Sequence, residues 1–380
     1  MIEFNRPPYV GTEIKYIKEA IENRKISGSG PFTGKCEEWL EKQLNVKRVL
    51  LTSSCSSALD IAARLCEIQP GDEVILPSYT FPSMANSFAS LGARLVFVDI
   101  RPDTMNIDEK LIENAITERT KVLCVFHYAG VSCEMDEIIA IAHKYNLKVV
   151  EDAAQSLFGK YKGRALGTIG NYGCLSFHET KNLSMGEGGA LIINDTASVS
   201  AAEIIREKGT NRSQYVRGEI EKYNWVSLGD SYVQSDLNAA YLWAQMEQAD
   251  CIQNSRMNTW NRYCEGLKDL QRRGLIELPV IPEYCIHNAH LFYIKCRDAD
   301  IRQSFISYMK HNEINCAFHY VPLHTSPAGL QYGEFVGEDK YTTRESSRLV
   351  RLPLYYGITD KEIDKVLDAV ISFFEMPYTV

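Results

Sequence analysis

From Arg94 to Glu151 the chain alternates between short apolar runs and amphipathic stretches. Arg94–Asp99, Lys121–Phe126 and Leu147–Glu151 read as strands, and Asn106–Ala115 and Met135–Tyr145 as the helices between them. Parallel strands can be joined only by crossover connections of this length, so the alternation predicts a mainly parallel sheet with helices on both faces. Upstream, Arg48–Thr52 and Asp72–Leu76 read as further strands, and Gly11–Lys25 and Lys35–Leu44 as helices on either side of a flexible SGSGPF stretch. With 380 residues, 45% of them apolar, the chain can bury a sizeable core and is long enough for two domains. A long helical pattern, Ala249–Arg273, serves as the bridge, which divides the chain into a large domain over residues 1–250 and a small α+β domain over residues 251–380. In the small domain Leu291–Lys295 and Ile314–Phe318 read as strands, with helices near Arg302–Lys310, Thr342–Leu349 and Lys361–Phe374.

Open α/β sheets bind ligands beyond the carboxyl ends of their strands, and Leu147–Val150 delivers Asp152 to such an end. A second apolar run, Tyr172–Phe177, leads to His178-Glu179-Thr180-Lys181-Asn182, and a third, Ala190–Asn194, follows Gly186, Gly188 and Gly189. Lys181 therefore lies in a tight connection between two strands. A lysine drawn out of water loses its charge readily and can form an imine with a carbonyl compound. Pyridoxal 5'-phosphate is the commonest such partner, and it also needs a carboxylate against its ring nitrogen, for which Asp152 is the candidate. A charge-assisted bond there contributes about 1.5–3 kcal/mol. TSSCSSALDIAARL, starting at Thr52, leads small hydroxyl residues from a strand into an amphipathic helix. Such a helix start offers free N–H groups to a phosphate, with Ser54, Cys55 and Ser56 as the cradle. Taken singly, a Ser-rich helix start is most often only a cap, and a lone aspartate or lysine only a solvated charge.

The combination of EDAAQS, SFHETKN and GEGGA resembles the DegT/DnrJ/EryC1/StrS family of sugar-nucleotide aminotransferases, and the resemblance runs from about Phe4 to about Tyr356. It implies a fold-type I pyridoxal phosphate-dependent transferase, with a mainly parallel seven-stranded sheet flanked by helices. It further implies that Lys181 carries the cofactor, that Phe81 in PSYTF stacks on its ring, that Gln155 meets its phenolic oxygen and that Ser176 meets its phosphate. In the family's homodimers the active sites are shared. The GDSYVQSDLNAAYLWAQM segment then places Ser231 where relatives use an asparagine toward the other subunit's phosphate, and Val233 where an arginine is common. Cys55-Ser56 stands where relatives carry Gly-Thr. The FHYVPLH loop, from Phe318, supplies Tyr320 and His324 on the substrate side. Stretches such as LPSYTF, FVDIRPDTMNIDE and GEDKYTTRES are similar to members that aminate dTDP-4-keto-6-deoxyglucose to dTDP-4-amino-4,6-dideoxygalactose for cell-surface polysaccharide, with glutamate as amino donor. A UDP-linked or 3-keto sugar and a silent cofactor-binding regulator are the rival readings. Dehydratases of the family replace the lysine with histidine, so Lys181 argues against that chemistry.

A net charge of −8 and the lack of a basic run give nucleic acid no electrostatic foothold. The N-terminus MIEFNRPPYVG has no apolar core of the signal type and no run approaches the ~20 residues that span a bilayer, which predicts a cytoplasmic protein without a membrane partner. Eleven cysteines without a CxxC pair suit a reducing compartment, and His319 and His324 lack accompanying ligands at metal spacing, so no metal is expected. His127 reads as part of a strand-end hydrogen-bond network and His143 as a surface residue.

Overall fold

The computed structural model describes residues 1–376. The main sheet contains β1 (Val49–Thr52), β2 (Glu73–Pro77), β3 (Arg94–Val98), β4 (Thr120–Phe126), β5 (Lys148–Asp152), β6 (Tyr172–Ser176) and β7 (Gly189–Ile193). Apart from Lys121 and a few strand-end residues, these strands are buried, which is why they read as continuous apolar runs with no alternation. Outside this sheet, β8 (Phe292–Lys295) pairs antiparallel with β10 (Leu349–Leu352). Between them in sequence, β9 (Gly333–Phe335) returns to the main sheet and pairs parallel with β3. The main sheet thus has eight strands in the order β1-β7-β6-β5-β4-β2-β3-β9. Seven were expected, and the eighth is too short to show a periodicity. β7 alone runs against the others, since it is antiparallel to both β1 and β6.

The helices follow their apolar spacing. Met135–Tyr145 packs Met135, Ile138 and Ala142 onto the sheet and ends at Asn146, whose left-handed backbone closes the last turn. Two expectations fail. Asn106–Ala115 is helical only over Glu109–Ile112, with a 3-10 turn to Ala115, because Ile107 instead bridges Ile100. Ile314–Phe318 is no strand: Ile314 bridges Ile2, Ala317 bridges Arg351, and the chain then turns into the cavity described below. The SGSGPF stretch is also shorter than it reads, as Pro31 begins a helix running to Leu44.

A helix over Ala249–Arg272 lays Trp260, Tyr263, Leu267 and Leu270 into a core that it shares with β8, β10 and the helix Asp360–Phe374. That core is separate from the ones on the two faces of the main sheet. Among the described residues no helix is long and apolar enough to cross a membrane, and no cluster of three or more His, Cys, Asp or Glu side chains could hold a metal ion.

Candidate active site

A cavity of about 490 Å³ opens at the carboxyl ends of β5 and β6. Its walls include Ser54, Cys55, Ser56, Phe81, Asp152, Gln155, Ser176, Lys181 and Tyr320. Chain stretches far apart in sequence meet here because each parallel strand delivers its terminus to the same edge. Ser231 and His324 are not brought to this cavity. Ser231 is exposed, and His324 bonds Ser78 Oγ (2.6 Å) and faces Asp339 (3.2 Å), which ties its loop to the end of β2.

The floor is built by β5. Asp152 is 3% exposed, and its Oδ1 accepts from the Ala154 amide at 3.0 Å. Burial pushes its carboxyl up, against the Ala154 amide and the Lys181 charge, so a cationic ligand nitrogen would be welcomed there. Three residues on, Gln155 Oε1 accepts from the Ala129 amide at 2.7 Å. That backbone donor fixes the amide orientation, leaving the Gln155 NH₂ to donate to Tyr320 Oη (3.1 Å) on the cavity side.

Lys181 sits in the turn between β6 and β7, half-buried, with its own amide donating to His178 O at 2.9 Å. Burial lowers its amine below 10.5; Cys55 and Asp152 oppose the shift, and Arg351 adds to it. A neutral amine is a nucleophile and a base, whereas an ammonium is neither. The next residue anchors the turn: Asn182 Nδ2 donates to Asn288 O (2.9 Å) and Gln253 (3.1 Å). Its Oδ1 therefore accepts, at 3.0 Å, from His290 Nδ1, which carries that ring's proton. Burial, with Lys181 and Arg256 adding to it, keeps His290 well below its usual 6.5 and so neutral.

The opposite end is the start of the helix Cys55–Leu65. Ser54 caps it by accepting from Ser57 N at 3.0 Å, and Ser56 Oγ lies 2.6 Å from Ser83 Oγ. β7 comes so close that a Cβ built on Gly189 would stand 2.4 Å from the Cys55 amide nitrogen. Only glycine permits that approach. Phe81, 54% exposed, and Tyr320 approach each other at the mouth, with ring centroids 6.1 Å apart.

Sequence reasoning passed over Arg351 and His290, both on this wall. A charge in the middle of the apolar run LVRLPL was the available signal for Arg351. For His290 there was none. His127 bonds Glu151 at 2.9 Å, fully buried and outside the cavity lining, and His143 is exposed. Arg212 and Arg217 are engaged with Glu207, Glu203 and Glu219.

The donor set fits pyridoxal phosphate: an amine with lowered pKa, a buried carboxylate, an amide NH₂, an aromatic face and a hydroxyl-lined helix start occupy one pocket. Comparison with known proteins agrees. The model of the DegT/DnrJ/EryC1/StrS aminotransferase family matches residues 9–371. The uncharacterized protein MJ1066 of Methanocaldococcus jannaschii is 35% identical, covering 96% of this chain and 95% of its own length. The spore coat polysaccharide biosynthesis protein SpsC of Bacillus subtilis is 32% identical over 96% of this chain and 95% of its own. Among solved structures, the aminotransferase TlmJ of Streptoalloteichus hindustanus superposes with a TM-score of 0.90 at 26% identity, covering 98% of each chain. The chain belongs to the DegT/DnrJ/EryC1/StrS aminotransferase family and is a pyridoxal phosphate-dependent sugar aminotransferase.

Proposed function

We propose that the chain moves the amino group of glutamate onto dTDP-4-keto-6-deoxyglucose, giving dTDP-4-amino-4,6-dideoxygalactose. The observation that carries this is the single pocket in which the lowered Lys181 amine faces Asp152 and the helix start at Ser54–Ser56. Pyridoxal phosphate, held by Ser54, Cys55, Ser56, Ser176, Asp152, Gln155 and Phe81, supplies an electron sink for charge left on a carbon. Lys181 anchors it and, once released by the donor, accepts the proton leaving the donor Cα through its neutral Nζ. With the keto sugar bound, the same Nζ returns a proton to C4 of the sugar. Tyr320 and Phe81 close the mouth and limit water there. The reading of nucleotide and hexose is supported by the long stretches, LPSYTF and GEDKYTTRES among them, that resemble the dTDP-4-amino-4,6-dideoxygalactose transaminase of enterobacterial common antigen synthesis. A cytoplasmic homodimer with shared sites completes the proposal, Ser231 reaching the other subunit's phosphate. Its support is the apolar surface next to Ser231, where Trp225 is 75% and Leu228 70% exposed.

The test is to offer the pyridoxamine-loaded protein dTDP- and UDP-linked 4-keto-6-deoxy sugars and identify the product by mass and NMR. Amination of the dTDP sugar is expected. Amination of the UDP sugar alone refutes the named substrate and leaves the chemistry standing.

A further inference from the structure

One charge in the cavity wall has no role in holding the cofactor. Arg351 projects from β10 with its guanidinium carbon 4.6 Å from the Phe4 ring centroid, and its Nη2 donates to Phe318 O at 2.9 Å. Its Nε is buried and has no hydrogen-bond partner. No carboxylate among the described residues pairs with it, although Arg206, Arg348 and Arg101 elsewhere in the chain are each engaged by two acids. A half-buried guanidinium with idle donors is costly unless an anion answers it.

Two anions enter this pocket on the reading proposed above, the carboxylate of an amino donor and the diphosphate of a sugar nucleotide. Chemistry separates them. Arg351 and Lys181 line the same cavity. In an amino acid the α-carboxylate is one bond from the carbon whose proton Lys181 takes. In a 4-keto sugar the diphosphate sits across the ring from the reacting carbon, beyond the anomeric oxygen. An anion beside Lys181 and the reacting carbon is therefore the carboxylate. We propose that Arg351 is the specificity residue for the α-carboxylate of the amino donor, its guanidinium gripping the carboxylate from the cavity wall, while the diphosphate lies elsewhere. The nucleotide sugar has no such group next to C4, so Arg351 serves one half-reaction and not the other. This rests on the transaminase reading.

The experiment compares parent, Arg351→Gln and Arg351→Lys holoenzymes in each half-reaction separately. Loss of the ~420 nm absorbance in single turnover reports the donor step, with glutamate and its α-amide, isoglutamine, as donors. Binding of glutarate by calorimetry gives a readout that needs no turnover. Parent protein should favour glutamate over isoglutamine. Arg351→Gln should weaken glutamate and glutarate on the order of 10- to 100-fold and erase the preference. Arg351→Lys should fall between. The pyridoxamine-loaded variants should aminate the keto sugar within about threefold of the parent. A variant that keeps the preference overturns the proposal, as does one that loses keto-sugar affinity as steeply as glutamate affinity, which would assign Arg351 to the diphosphate. A parent whose absorbance glutamate does not bleach refutes the donor assignment itself, and is told apart because it appears without any substitution.

Discussion

Gly189→Ala is the sharpest probe of how the pocket is built. The added Cβ would lie 2.4 Å from Cys55 N and 2.5 Å from the Ser54 carbonyl carbon, where ordinary contact begins near 3.4 Å. Both neighbours are backbone, so strand β7 and the helix start must part by about 1 Å. Thr52 pairs directly with Gly189, so the rung between β1 and β7 opens as well. Overpacking of this kind costs about 1–3 kcal/mol, offset by about 0.4–1 kcal/mol from the stiffer unfolded chain. The net cost of about 0–2.6 kcal/mol should lower the melting temperature by up to about 10 °C, taking about 2–4 °C per kcal/mol. The second effect is local. A 1 Å shift takes the Cys55 and Ser56 amides out of hydrogen-bond range of a phosphate, and losing one charge-assisted bond weakens binding by about 1.5–3 kcal/mol, at least tenfold in Kd. Thermal unfolding of the cofactor-free protein and a pyridoxal phosphate titration followed by absorbance measure the two effects separately. A variant that melts lower yet binds the cofactor as the parent does would refute the assignment of this helix start to the phosphate.

Gly34→Ala makes the matching control: Gly34 is exposed inside the helix Pro31–Leu44 and an added Cβ would meet nothing within 4 Å, so stability should rise by about 0.5–1 kcal/mol in a denaturant melt, with activity unchanged. Glu151→Gln should cost about 2–4 kcal/mol in the same melt, because the carboxylate accepts from Gly167, Ile169 and Gly170 amides and from His127, and an NH₂ group cannot. Burial works to raise the Glu151 carboxyl, yet His127 and the Gly170 and Gly167 amides outweigh it and hold it below 4.5. Its stabilisation is thus present above 4.5 and lost as pH falls through the lower folded value, an acid-side loss that should shrink in Glu151→Gln. Lys181 gives a slope of the same sign on the alkaline side. Its amine is lowered from 10.5, so between the lowered value and 10.5 the unfolded chain holds a proton that the fold does not, and cofactor-free stability should rise with pH. Lys181→Met should flatten that slope in pH-dependent chemical denaturation.

The large sheet was legible because its strands are buried on both faces and its crossovers are helices, so period and length both speak. Asp152 and Lys181 were legible because they follow apolar runs closely in the chain, whereas Gln155 was reached only through the family resemblance of EDAAQS. What could not be read depends on packing across the chain. β9 is three residues long and owes its pairing to β3 rather than to any pattern of its own. Ile314 and Ala317 look like a strand, yet their partners are single residues, Ile2 and Arg351. His324 shares a loop with Tyr320, but the 3-10 turn at Leu323–Thr325 sends it toward Ser78 and Asp339. Arg351 enters the pocket only because β8 and β10 bring the C-terminal third against the strand ends.

The central claim is that one amine, on Lys181, bonds the cofactor. Purified protein loaded with pyridoxal phosphate, reduced with borohydride and digested, tests it directly by peptide mass spectrometry. The account predicts a reduced pyridoxyl group on the peptide that contains Lys181 and on no other in stoichiometric amount. A label at a different lysine, or none with the ~420 nm band present, would contradict it.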